Sequence, residues 1–463
     1  MSILRFHAAL SGGIALAALL LTPVQADELS QLKSELQRLQ EQVDRLESRQ
    51  ADVPTPSSPS SIVFVQGSGA TSSWRTDRAG DVMPADRGFT IAISPSADLP
   101  SPIHEVTISG YVKGDVIYDF DEDLGDAFYY ERIGKGGGGH VRLHARQSRF
   151  SIKSRSDTAV GQVRTLIEGD FFGGDSTDFR LRHAWGEWDA TPELTLGAGQ
   201  YWRNFMSPFV GVTTVDFNGD VGLIGTSRNA QFRLTWVNGP TTAALSVERP
   251  TSASDIVAYG ADLDAKSISR PDGATDNAPD VSARVQYELP GGNQIMFSGM
   301  LRNYRVDGVA GQGGDEALGW GVQGAVNVAI AEPIILTASA MYGKGLGNYV
   351  LGSQFGAYAK NGKVELVEQL GLFGGAIVTL TDTTTFNLGV GYLDQNDKDI
   401  LNAGVKNASV DVLSAHANII WQPVSQLRLG AEVMWAERER IDMAGKKGRD
   451  DAWRGQIGAW FFF

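Results

Sequence analysis

The last ten residues, Arg454-Gly455-Gln456-Ile457-Gly458-Ala459-Trp460-Phe461-Phe462-Phe463, constrain the fold more than any other stretch. Successive side chains of a strand point to opposite faces. One face here reads Ile457, Ala459, Phe461, Phe463, and the other carries Arg454 and Gln456. A soluble strand seldom ends on exposed aromatics. A strand that closes a barrel in a bilayer has reason to, because its outer face meets hydrocarbon and its end lies in the interfacial aromatic girdle.

From Val106 onward the chain keeps this period of two. Val106, Ile108, Gly110, Val112, Val116, Tyr118 and Phe120 alternate with Thr107, Ser109, Lys113, Asp115 and Asp119. Val281–Leu289 and Leu427–Trp435 repeat the pattern. Links between such runs alternate in length: Thr191-Pro192, Asn238-Gly239-Pro240, Thr381-Asp382-Thr383 and Pro423-Val424-Ser425 are tight, whereas Asp121–Gly139, Asn204–Ser227, Pro250–Asp280, Gly347–Glu365 and Asn396–Ala408 are long. The reading is an all-β transmembrane barrel over residues 106–463, with about sixteen antiparallel strands, turns in the periplasm and loops outside.

Residues 1–26 read as a secretory signal: Arg5, a short apolar core at Ala8–Leu21, then Val24-Gln25-Ala26. The chain has no cysteine, so disulfides and thiolate metal sites are excluded. A net charge of -14 argues against nucleic acid as a partner. The mean hydropathy of -0.14 suits a barrel, whose apolarity is hidden in alternation.

Within 27–50, Leu29, Leu32, Leu36, Leu39, Val43 and Leu46 are spaced 3, 4, 3, 4, 3, the a and d positions of a short coiled coil. The other faces are polar, so this helix predicts parallel self-association in the periplasm. Residues 51–105 follow as a Pro/Ser-rich spacer and an irregular connector, with one short strand expected at Phe89–Ile93.

If the apolar face meets lipid, the polar face lines water and its charges set selectivity. The second to sixth strands are basic there: Arg142, Arg146, Arg149, Lys153, Arg164, Arg180, Arg182, Arg203 and Arg233, with His144 beside them. Glu168 and Asp170 are the clear acids of that wall. The parity slips between Arg146 and Arg149, so a bulge or strand end is expected between them. A planar guanidinium matches the two oxygens of a carboxylate. Asn204–Ser227 mixes apolar residues with glycine and carries Asp216 and Asp220. It reads as a constriction loop folded into the lumen, an acidic edge facing a basic wall.

The layout of signal, heptad helix, spacer and barrel resembles the DcaP-type trimeric outer-membrane porins. So do Gly110-Tyr111-Val112-Lys113, Tyr118-Asp119-Phe120-Asp121, Arg146-Gln147-Ser148-Arg149-Phe150 and Arg180-Leu181-Arg182-His183-Ala184. Ala417–Val424 and Leu429–Trp435 are similar too. The resemblance implies a sixteen-stranded homotrimeric porin of the bacterial outer membrane, embedded in lipid and lipopolysaccharide, that prefers small dicarboxylate-like anions.

Other signals lead nowhere. Asp119–Asp123 and Asp216–Asp220 lack the rest of a calcium loop, and Gly136–Gly139 lacks the Lys-Ser/Thr of a phosphate cradle. No cofactor and no metal are expected. A hydrolase would need a Ser/His/acid set on the lipid-facing wall; His183 and His416 fall there by parity, but no serine is suitably spaced, so no enzyme is expected. Passive diffusion of small anions through a basic constriction is the leading reading. The alternatives are a general diffusion porin and a structural barrel tethered to the cell wall through its coiled coil.

Overall fold

The computed structural model describes residues 61–67, 87–94, 103–174, 177–225, 227–265, 267–308, 314–441 and 446–463. The expected signal and the heptad stripe from Leu29 to Leu46 lie outside them.

Sixteen antiparallel strands form one closed barrel. Strand β1 is His104–Asp119, and β2 runs in two segments, His140–His144 and Arg149–Thr158. Then come β3 (Gly161–Gly173), β4 (Asp178–Asp189), β5 (Leu194–Trp202), β6 (Arg228–Asn238), β7 (Thr241–Glu248) and β8 (Asp280–Leu289). The second half is β9 (Asn293–Val306), β10 (Asp315–Ala331), β11 (Ile334–Lys344), β12 (Glu368–Thr381), β13 (Thr384–Gln395), β14 (Ala408–Val424), β15 (Leu427–Ile441) and β16 (Lys447–Phe462). Closure is made by β16 against β1, in register from Arg454↔Asp119 to Phe462↔Tyr111. Closure leaves no unpaired strand edge within the wall, which hydrocarbon would not tolerate.

The two faces separate as the alternation requires. Val112, Leu143, Phe232, Phe297, Val390 and Phe461 are exposed on the outside. Lys113, Asp115, Glu168, Ser282, Asn418 and Arg454 are buried within. Short turns such as Gly239-Pro240 and Asp382-Thr383 gather at one end. Long loops gather at the other: L1 (120–139), L3 (203–227), L4 (249–279), L6 (345–367) and L7 (396–407).

Two irregularities re-aim the basic wall. β2 is interrupted between His144 and Arg149, where the Ser148 hydroxyl accepts the Lys113 N–H at 2.9 Å and the Arg146 carbonyl accepts the Phe171 N–H at 3.0 Å. This break brings Arg142 and Arg149, of opposite parity, to one inner face. In β4 the register jumps from Glu168↔His183 to Gly169↔Leu181, a bulge that leaves both Arg182 and His183 buried.

The connector is not wholly irregular. Ser61–Gln66 and Phe89–Ser94 form a hairpin, and its second strand is laid against His104–Ile108 of β1. The strand at Phe89 follows the expected alternation. Its companion Ile62-Val63-Phe64-Val65 was missed because both its faces are apolar, and both are exposed.

Candidate functional site in the barrel lumen

L3 leaves β5, turns into the lumen and is hung on the wall for its whole length. At its start the Ser298 hydroxyl donates to the Phe205 carbonyl at 2.9 Å, and Arg284 donates to the Met206 carbonyl at 3.1 Å. Further along, Asn418 donates to the Thr213 carbonyl at 2.8 Å, and the Glu432 carboxylate accepts the Val215 and Asp216 N–H groups at 2.9 Å each. Lys113 of β1, ion-paired to Asp115 at 2.8 Å, also donates to the Val215 carbonyl at 2.5 Å.

Glycines on the inner wall make this close approach possible. Gly222 of L3 has φ 74°, and a Cβ there would lie 2.2 Å from the Tyr392 carbonyl oxygen of β13. On the facing wall, a Cβ at Gly391 would lie 2.2 Å from the Val221 carbonyl oxygen, and one at Gly371 would lie 2.6 Å from that of Gly222. Backbone runs against backbone there, and any side chain would push the loop away. L3 also lines, with Gln323 and Leu351, a cavity of about 110 Å³.

The two loop acids do not present an acidic edge to the basic wall. Asp216 is 1 % exposed: its carboxylate accepts the Phe128 N–H at 3.1 Å and the Asn218 N–H at 2.8 Å, and it pairs with Arg454 at 3.0 Å. Arg454, itself fully buried, holds Asp119 with its other nitrogens at 2.6 and 2.9 Å. Asp220 is equally buried and accepts the Ser414 hydroxyl at 3.0 Å. Both carboxylates are turned to the wall because a loop carrying that many backbone dipoles needs charged partners to anchor it.

The basic side chains of β2 to β6 divide into groups. Arg142 and Arg146 reach upward to L1, pairing with Asp126, and Arg142 also with Asp123. Arg180 and Arg182 converge on Asp170 at 2.7 and 2.9 Å; Arg182 also pairs with Glu168 at 2.7 Å, and Arg149 comes within 3.6 Å of Glu168. Arg180 is the open member of this cluster, with 36 % of its side chain exposed, and it lies over the rings of Phe172 and Phe217. Lys153 is buried on the same face of β2. Arg164 stands apart, held by Glu187 at 3.1 Å and Asp189 at 2.7 Å. Those two acids were missed because the β4 bulge shifts the inner face from even to odd positions.

Arg203 and Arg233 have neutral partners. Arg203 donates to Asn348 and lies 3.7 Å from the Tyr349 ring centroid; Arg233 donates to Gln231 and to the Trp202 carbonyl. The alternation sets Arg284 and Arg428 on the polar faces of their strands, though they were not counted with the basic wall, and Arg302 was overlooked. Among the described residues Arg284 donates to the Met206 carbonyl and Arg428 to Gln422. Arg302 ties β9 to L4 through Asp255 at 2.9 Å. A parity count through β9 would have found Arg302 as well. His183 and His416 are not on the lipid side: His183 packs on Tyr201 beside the bulge, and His416 is buried behind L3.

The sequence matches the Porin_2 family, described as a porin subfamily, over residues 106–455, from the start of β1 into β16. The chain belongs to this porin family. Among solved structures, the porin is similar to the outer membrane channel DcaP of Acinetobacter baumannii, with a TM-score of 0.67 and 22 % identity over 78 % of this chain and 97 % of that one. It is also similar to an anion-selective porin from Comamonas acidovorans, with a TM-score of 0.51 and 12 % identity over 78 % and 100 % of the two chains. A third likeness is to in-vitro folded OmpT of Vibrio cholerae in its trimer form, with a TM-score of 0.50 and 11 % identity over 78 % and 99 %. At such identities these likenesses speak to the fold. A comparison with curated proteins finds no significant match. Family and fold make this chain an outer-membrane channel rather than an enzyme.

Proposed function

We propose that this porin is a homotrimer that passes small anionic solutes, dicarboxylate-like compounds above all. The observation that carries this reading is a set of inner-wall arginines that stand outside any ion pair among the described residues, together with the exposed guanidinium of Arg180. Arg203, Arg233, Arg284 and Arg428 donate to neutral oxygens and sit in no ion pair among the described residues. The lumen acids Asp115, Asp119, Glu168, Asp170 and Glu187 each face a cation, whereas buried Glu248 accepts from Asn204, Ser246 and Ser282, and Asp220 and Glu432 lie beside His416. A wall of low dielectric focuses the field of these guanidinium groups into the water between L3 and β2 to β6.

An anion drawn into that water would meet Arg180, whose exposed guanidinium is backed by Phe172 and Phe217, with Arg149 nearby. Binding there must remain weak and transient for flux to continue. Single-channel recording in a planar bilayer, with succinate or an aromatic dicarboxylate added, tests the reading. Brief blockades are expected, and Arg180→Ala with Arg149→Ala should abolish them. Conductance indifferent to every dicarboxylate would leave a general diffusion porin instead.

A further inference from the structure

His416 takes no part in the basic wall. It lies on the inner face of β14, 1 % exposed, behind L3. Its Nε2 is 3.1 Å from the Tyr130 hydroxyl of L1 and 3.7 Å from Asp220 Oδ1 of L3, and its Nδ1 is 3.9 Å from Glu432 Oε1 of β15. Each of these neighbours grips the loop. Glu432 holds the Val215 and Asp216 N–H groups, and Tyr130 donates to the Gly219 carbonyl at 2.8 Å. Asp220 belongs to the loop and is bound to Ser414. The nearest remaining charges are engaged elsewhere: Asp216 with Arg454, and Lys113 with Asp115.

Two buried atoms of this cluster have no hydrogen bond, His416 Nδ1 and Asp220 Oδ2. With the Tyr130 proton committed to Gly219, a neutral imidazole keeps its own proton on Nε2. Its Nδ1 lone pair then faces the Glu432 carboxylate, acceptor against acceptor. A second proton turns that lone pair into a donor and sets an imidazolium between two carboxylates, one on the loop and one on the wall.

We propose that His416 is a positioning residue for L3, a latch that holds residues 215–221 against β14 and β15 when the imidazole is charged and slackens when it is neutral.

Single-channel currents of the full-length protein, recorded at fixed voltage and salt from roughly pH 5.5 to pH 8, test it. Wild type should show partial closures about tenfold rarer at the acidic end, the scale of one charge-assisted hydrogen bond. His416→Gln should show frequent closures with no pH dependence. Asp220→Asn keeps the Ser414 bond and removes only the loop's charge, and it too should flatten the profile; it serves where the histidine variant fails to assemble. A wild type insensitive to pH, or either variant keeping the wild-type profile, overturns the proposal. Reversal potentials measured on the same channels separate this outcome from the anion reading, because a lost latch alters closures and leaves ion preference unchanged.

Discussion

Asn in place of Asp216 distinguishes a tethered L3 from an acidic one. The Asp216 carboxylate accepts two backbone N–H groups on Oδ1 and the Arg454 guanidinium on Oδ2 at 3.0 Å. Asn keeps the first oxygen but turns an NH₂ toward Arg454, donor against donor. Losing one hydrogen bond to a charged partner costs about 1.5–3 kcal/mol. At about 1.4 kcal/mol per tenfold, the unlatched loop becomes roughly ten- to a hundredfold more populated. Arg454 retains Asp119 at 2.6 Å, so barrel closure survives. The assay is open-channel noise in single-channel recordings at fixed voltage, together with the reversal potential in a salt gradient. Noise should rise steeply while the reversal potential stays close to wild type, because the pair left behind, Arg454 with Asp119, is neutral. A quiet channel whose reversal potential moves strongly toward anions would refute this and return Asp216 to the pore.

Gly222→Ala places a methyl 2.2 Å from the Tyr392 carbonyl oxygen at φ 74°, so the loop must leave its track; altered conductance is expected with an intact barrel, checked by heat-modifiable mobility on gels. Arg164→Ala takes the guanidinium away from the buried Glu187 carboxylate and should cost about 3–5 kcal/mol, read as a lower unfolding temperature in detergent. Dicarboxylate blockades should persist in that variant if it is refolded, since Arg164 stands apart from the Arg149–Arg180 cluster. A chain lacking residues 27–61 should still conduct; loss of conductance would favour the tether reading.

Most of the barrel was legible because two solvents enforce its alternation. A residue shift in β8 or β13 would turn every apolar side chain into water, so Asp280–Leu289 and Thr384–Gln395 emerge where the pattern puts them. What escaped were the places where the period is broken deliberately. The β4 bulge hid Glu187 and Asp189 and turned His183 inward, and no residue type in that stretch announces it. The direction of Asp216 and Asp220 had a readable signal that went unused. Gly371, Gly389 and Gly391 are inward positions with no side chain, and an inner wall that bare implies something pressed against it. The hairpin strand at Ser61–Gln66 gave no alternation to read.

Anion preference is expected from the inner-wall arginines that donate to neutral oxygens, Arg203, Arg233, Arg284 and Arg428. The reversal potential of the purified wild-type protein, in a planar bilayer under a potassium chloride gradient, tests it most directly. A potential on the chloride side is predicted, relaxing toward zero when Arg233 and Arg284 are both replaced by Gln. A potential on the potassium side in the wild type would contradict it.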